Sequence, residues 1–136
     1  MRTLVLDTEA VQALLSTDHR KHRIALAHLE GALQRRRKGT TVTVVVPTAV
    51  RVEAGWDRSR PEAALANRLR IVDRPLDTGA ANTAAEIAPR TGVSVDDAHV
   101  GAVARGVEGE DIIVLSSDPD DMKRVSEPKA VKAIRI

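Results

Sequence analysis

An α/β fold on a parallel sheet is predicted for this chain of 136 residues. Two observations carry the prediction. Short apolar runs, Thr3–Leu6, Thr41–Val46 and Ile112–Leu115, alternate along the chain with longer segments of helical character. The first of these runs shows no polar alternation, as expected of a strand buried between helices on both faces. Right-handed crossovers would then carry helices to either side of the sheet.

Each element has a local reason. Thr3–Leu6 is the first strand, followed by a helix over Thr8–Leu15. Ser16-Thr17-Asp18 offers an N-cap for a second helix, in which Leu26, Leu29 and Leu33 share a face and which ends in Arg35-Arg36-Arg37-Lys38-Gly39. Thr41–Val46, rich in β-branched residues, is the second strand, and Pro47 ends it. Thr48 can cap a helix holding Glu53 and Trp56. Pro61 suits the first turn of another, reaching about Leu69. Ile71-Val72 is a minimal third strand. Asp77 or Thr78 caps a helix running toward Pro89 and closed by Thr91-Gly92. Ser94 or Asp96 caps the next, to about Gly106. Ile112–Leu115 is the fourth strand, Pro119–Val125 a short helix and Val131–Ile136 the last strand. With no repeat, low-complexity segment or linker, residues 1–136 are expected to form one domain.

Composition narrows the function classes. Hydrophobic residues make up 43% of the chain, which argues against disorder. There is one Trp and neither Phe nor Tyr, so the core must be Val, Leu, Ile and Ala, and an aromatic platform for stacking bases is excluded. The absence of Cys excludes disulfides and thiolate zinc sites and is compatible with the cytoplasm. The apolar run after Arg2 is too short and too acidic for a signal peptide or a membrane span. A formal charge of +2 permits a polyanionic partner without requiring one. No phosphate-binding Gly-rich loop is present, and Ser116 and Ser117 lack a His–acid relay. None of His19, His22, His28 and His99 sits in a zinc motif; His99 reads as a partly exposed helix residue.

The acids are more informative. Asp7 follows the first strand, Glu53 lies in the helix after the second, Asp96-Asp97 open an Ala/Val-rich helix, and Asp118 follows the fourth strand. Each has an ordinary explanation. Asp7 and Asp118 can be N-caps, with Asp120 and Asp121 as first-turn acids. Asp96 and Asp97 suit a helix dipole, and Glu53 can face solvent. Together, however, they surround one edge of an open α/β sheet, where such folds bind ligands. Converging carboxylates repel one another unless a cation holds them. Oxygen-only ligands suit Mg²⁺ or Mn²⁺ better than zinc or copper.

Four segments then resemble one family. Leu4-Val5-Leu6-Asp7-Thr8, Val46-Pro47-Thr48-Ala49-Val50-Arg51-Val52-Glu53, Val95-Asp96-Asp97-Ala98-His99-Val100-Gly101-Ala102-Val103-Ala104 and Val114-Leu115-Ser116-Ser117-Asp118-Pro119-Asp120-Asp121 are similar, in order and spacing, to PIN-domain ribonucleases, in particular VapC-like toxins of type II toxin–antitoxin systems. The resemblance implies a PIN-like five-stranded parallel sheet sandwiched between helices and Mg²⁺- or Mn²⁺-dependent cleavage of RNA. It implies Asp7, Glu53, Asp97 and Asp118 as the acidic cluster, with Asp7, Asp97 and Asp118 on the metal. Ser116 stands at the family's hydroxyl position, where it would orient a ligand. Asp97 is preferred to Asp96 because the family's acid precedes Ala directly; Asp96, one turn before Val100, could also face inward. Asp120 or Asp121 could help hold a metal. Met122 replaces a common aromatic.

An RNA substrate, a cognate antitoxin, a homodimer and a cytoplasmic setting, with no membrane, follow as expectations. Arg51, Arg58, Arg60 and the Arg35–Lys38 run are candidates for phosphate contacts, although cations at Arg35–Lys38 also complement a helix C-terminus. Trp56 can anchor the core or an antitoxin groove. Two rival readings remain. One is a PIN-like module that binds RNA or protein without cutting it. The other is a phosphoacceptor switch built on Asp73 and Lys129.

Overall fold

The computed structural model describes residues 1–109 and 111–136. Strands β1 (Arg2–Leu6), β2 (Val42–Pro47), β3 (Val72–Arg74), β4 (Asp111–Ser116) and β5 (Lys132–Arg135) form a parallel sheet in the order β3-β2-β1-β4-β5. The helices are α1 (Thr8–Leu15), α2 (His22–Arg37), α3 (Thr48–Ala54), α4 (Ala64–Arg68, entered through a 3-10 turn at Pro61–Ala63), α5 (Thr78–Thr91), α6 (Val95–Gly106) and α7 (Pro119–Ser126). Helices α1 and α2 pack on each other and against β4 and β2. Helix α6 lies on β1 and β2, α7 lies on β4 and β5, and α5 packs on α6. This is the five-stranded parallel sheet between helices that the sequence predicts.

The central strand β1 explains the missing alternation. Leu4, Val5 and Leu6 are all buried, as are Val44–Val46 of β2 and Ile112–Leu115 of β4. Connections run outward from β1 to β2 and β3, then return to β4 on the other side of β1. The chain therefore reverses direction between β1 and β4. The carboxyl ends of these two strands bound the crevice where open α/β sheets bind ligands. The Asp7 amide donates to the Leu115 carbonyl at 3.2 Å, so the pairing extends to the crevice floor.

Several local expectations are revised. Trp56 lies beyond α3. Gly55, at φ 73°, ends the helix in the left-handed region, and the Trp56 amide reaches back to the Arg51 carbonyl at 2.8 Å. The third strand is Val72–Arg74, one residue later than expected, since the chain is still leaving the left-handed turn at Arg70 when it reaches the buried Ile71. Ser16 ends α1 rather than capping α2, which starts at His22 after a short turn. Pro47 still pairs within the sheet, opposite Arg74. The Thr48 hydroxyl makes no cap; it accepts the Leu76 amide at 3.0 Å and ties α3 to the segment after β3. Pro89 lies inside α5, which Gly92 closes at φ 75°. Asp77 caps α5 as expected, accepting the Ala80 amide at 2.9 Å.

Candidate active site

Asp7 stands at the switch point, only 5% exposed. It caps α1 by accepting the Ala10 amide at 2.8 Å, so the ordinary capping role is real. Burial pushes its carboxyl pKa up, and hydrogen bonds from Ser116, Ala10 and Ser117 oppose that rise. Ser116 is wholly buried and also accepts the Asp118 amide at 2.8 Å. One hydroxyl thus links Asp7 to the start of α7.

Asp97 enters from the first turn of α6. Its pKa is pushed up to about 6, first by burial and then by the charges of Asp96, Asp7 and Asp121. The first turn of α6, the end of β1 and the first turn of α7 therefore gather acids whose like charges oppose ionisation. A cation is the simplest relief for such a set. Asp96 turns toward Thr8, whose hydroxyl donates to it at 2.5 Å. Asp97 is thus the member of the pair most strongly coupled to the acids of β1 and α7.

A glycine sets how closely these elements meet. A Cβ at Gly101 would lie 2.8 Å from the Val125 carbonyl carbon, so only Gly lets α6 approach α7 this closely. On the other side, His99 is fully buried, not partly exposed as its helical position suggested. Its Nδ1 accepts the Ala49 amide of α3. Gly101 and His99 brace α6 against the helices carrying Asp118 and Glu53.

Glu53 and Asp118 lie further out. Asp118 is exposed and caps α7 through the Asp121 amide at 3.3 Å. Asp121 is held by Arg124 at 2.9 Å, and it is Asp121 whose charge reaches Asp97. Glu53 is exposed in a cleft of about 640 Å³ lined also by Thr8, Thr48, Leu76, Ser94 and Asp96. Among the described residues, no three His, Asp or Glu side chains stand close enough to hold a cation unaided. Mg²⁺ does not demand that, because it keeps several waters and takes one or two carboxylates. The all-oxygen donors around Asp7 and Asp97, held back from ionising, fit a hard divalent ion.

The expected phosphate contacts divide. Arg51 and Arg58 both grip Asp73, at 2.8 and 2.9 Å, and both lie over the Trp56 ring, 5.5 and 4.2 Å from its centroid. Trp56 is buried, and its indole nitrogen donates to Asn67 at 3.3 Å. This cluster is a structural plug that fastens the end of α3 to β3. Arg60 is exposed, with only a loose 3.6 Å contact to Asp57. Asp73 is equally unsuited to accept a phosphoryl group with help from Lys129. It is occupied by two arginines on edge strand β3, whereas Lys129 precedes β5 at the opposite edge and donates to the Val107 carbonyl.

Sequence reasoning did not single out Thr8 or Gly101 as parts of the site. Thr8 follows the strand-end acid directly, which was the available signal. Gly101, in the middle of an Ala-rich helix, marked a close helix approach.

Comparison with known proteins agrees with this architecture. No curated protein matches the chain. Among solved structures, VapBC2 from Rickettsia felis, bound to a DNA fragment from its promoter, is similar with a TM-score of 0.54 at 12% identity, covering 97% of this chain and 98% of the other. FitAcB from Neisseria gonorrhoeae is similar with a TM-score of 0.55 at 17% identity, covering 95% and 96%. At such identities the likeness is one of fold. No helix among the described residues is long and apolar enough to cross a membrane. Residues 4–128, nearly the whole chain, match the PIN domain; the chain belongs to the PIN domain family.

Proposed function

We propose that the chain is an endoribonuclease dependent on Mg²⁺ or Mn²⁺. The single observation that carries the reading is the coupling of Asp7, at the switch point, to Asp97, whose pKa stands near 6 among like charges. Asp7 and Asp97 would hold the ion, with Asp118 or its neighbour Asp121 reached directly or through water. When bound, such an ion lowers the pKa of a water and stabilises charge on the departing oxygen of a phosphodiester. Ser116 holds the Asp7 carboxylate in one orientation. Thr8 does the same for Asp96. Glu53, exposed in the cleft, would accept a proton from an attacking water. Arg60 is the best of the three candidate arginines for a phosphate contact, because Arg51 and Arg58 are spent on Asp73 and Trp56.

The VapC-like resemblance, and a fold shared with VapBC2 and FitAcB, support a role as the toxin of a type II toxin–antitoxin pair. A cognate antitoxin, a homodimer and action on cytoplasmic RNA belong to that reading. Expression with and without the upstream reading frame tests it: growth arrest relieved by co-expression of a small neighbouring protein supports the pair. Incubation of the purified protein with RNA and either Mg²⁺ or EDTA tests the chemistry. The non-catalytic alternative draws on the absence of a tight three-acid cluster among the described residues. Binding of RNA without metal-dependent cleavage would favour it.

A further inference from the structure

The run Arg35–Lys38 has no part in the acidic site. It sits at the C-terminus of α2, beside the residues that enter β2 and β3, at the sheet edge opposite Asp7. A groove of about 450 Å³ opens there, and Arg36, Arg70, Thr40, Thr41 and Thr43 are among the residues that line it. No acid lines it. Among the described residues, neither Arg70 nor any cation of the Arg35–Lys38 run takes part in a salt bridge. Arg36 spends Nε and Nη2 on the Val42 carbonyl, at 2.9 and 2.7 Å. That anchors its guanidinium plane beside the groove and leaves Nη1 without a protein partner among the described residues.

Arg70 supplies the second observation. It has φ 55°, and among the described residues it alone is a non-glycine in the left-handed region. Glycine adopts that conformation without strain, while an L side chain adopts it at a cost. Arg70 follows the C-cap Leu69, where a left-handed residue ends α4, and its exposed side chain forms no hydrogen bond among the described residues. Two arginines without acidic partners thus line one acid-free groove, a donor set that suits an anionic ligand. Cations at a helix C-terminus account for Arg35–Lys38; Arg70 also follows a helix end, but α4 has only five residues and its dipole is weak.

We propose that this groove binds the phosphate backbone of RNA, away from the acidic site. Guanidinium groups suit phosphate through paired N–H donors, and threonine hydroxyls add further donors. The six residues of β2 separate the two sheet edges by about 20 Å. The groove therefore engages a distal part of a folded RNA and not the few nucleotides at the acidic site. It serves as an anchor for large RNA. The inference rests on the RNA reading of the acidic site only in its choice of polyanion.

Arg70→Gly makes an unusually clean test, since glycine relieves the backbone. In an Asp7→Asn background, binding of a labelled transfer-RNA-sized transcript is measured across a salt series, beside a short single strand. Arg70→Gly should melt at or above the parent temperature, bind the transcript roughly fivefold to tenfold more weakly and lower the log–log salt slope by about 1. Binding of the short strand should not change, and Arg70→Lys should keep the salt slope while recovering only part of the affinity, because it lacks the paired donors. Unchanged transcript affinity and slope would overturn the proposal, as would a loss seen with duplex DNA and not with RNA. The nuclease reading is judged separately, by metal-dependent cleavage of the short strand with Asp7 intact. Loss of groove binding leaves that result untouched, and absence of cleavage leaves groove binding untouched.

Discussion

Nδ1 of His99, buried in α6, accepts the backbone N–H of Ala49 at 3.3 Å. Ala49 lies in the first turn of α3, where N–H groups have no intrahelical partner, and Pro47 at the N-cap offers no side-chain acceptor. His99 is therefore a cap supplied from another helix. It joins the helix carrying Asp96 and Asp97 to the one carrying Glu53. An acceptor at Nδ1 places the proton of the neutral ring on Nε2, which has no well-aligned partner.

His99→Leu should cost about 1–3 kcal/mol in chemical denaturation, because it leaves a buried N–H unsatisfied. His99→Asn, which can present an oxygen to Ala49, should recover part of that. The ring also gives a pH dependence. Burial is the main cause of a His99 pKa below its ordinary 6.5. The unfolded chain thus takes up the proton first. Stability attributable to His99 is fully present above about pH 6.5 and is lost as the pH falls below it, with a slope of up to about 1.4 kcal/mol per pH unit. His99→Asn should remove that slope.

Asp97 has the opposite sign. Its pKa is raised from 3.8 to about 6, so the folded state disfavours its charge. The destabilisation is present above about pH 6 and is relieved as the pH falls from 6 toward 3.8. Asp97→Asn should therefore raise stability at pH 7, by roughly 1 kcal/mol after allowance for solvent screening, while activity falls. Mg²⁺ should raise the melting temperature of the parent more than that of Asp97→Asn. Thermal denaturation with and without the ion checks both.

Gly101→Ala should be far more damaging than an Ala substitution in an ordinary helix. The added Cβ meets the Val125 carbonyl, which is backbone and cannot swing aside. Separating α6 from α7 should cost about 1–3 kcal/mol and move Asp97 away from Asp121. Activity should fall further than stability alone accounts for, as read from turnover at a temperature where the variant is fully folded.

The Trp56 plug should behave as structure. Trp56→Ala is expected to cost about 3–5 kcal/mol. Asp73→Ala, which strands Arg51 and Arg58, should also destabilise, and Arg51→Ala should affect melting more than RNA affinity. Arg60→Ala should do the reverse. Paired denaturation and RNA-binding curves separate the two outcomes.

Much of this architecture could be read from the chain. β-branched runs such as Val42–Val46 and end signals such as Gly92 encode strands and helix stops locally. Asp7 and Asp118 follow strand ends, so their place in the fold came with the strands. What stayed hidden depends on pairing across distance. His99 looks like any polar residue on a helix until Ala49, fifty positions away in the sequence, is brought to it. Arg51 and Arg58 look available until Asp73 of β3 arrives between them. Trp56 looked helical because Gly55 stops α3 through a left-handed turn that a short apolar run obscures. The choice between Asp96 and Asp97 turns on contacts with Thr8 and Asp7 that helical periodicity cannot supply.

The most direct test of the account is RNA cleavage by the parent and by Asp7→Asn, each shown to be folded, in Mg²⁺ or Mn²⁺ and again in excess EDTA. Asp7 is the buried acid at the β1–β4 switch point, and its replacement should preserve the sheet. Cleavage by the parent is expected with the ion and not in EDTA, with a fall of at least roughly a hundredfold for folded Asp7→Asn. Full cleavage by folded Asp7→Asn, or by the parent in EDTA, would contradict it.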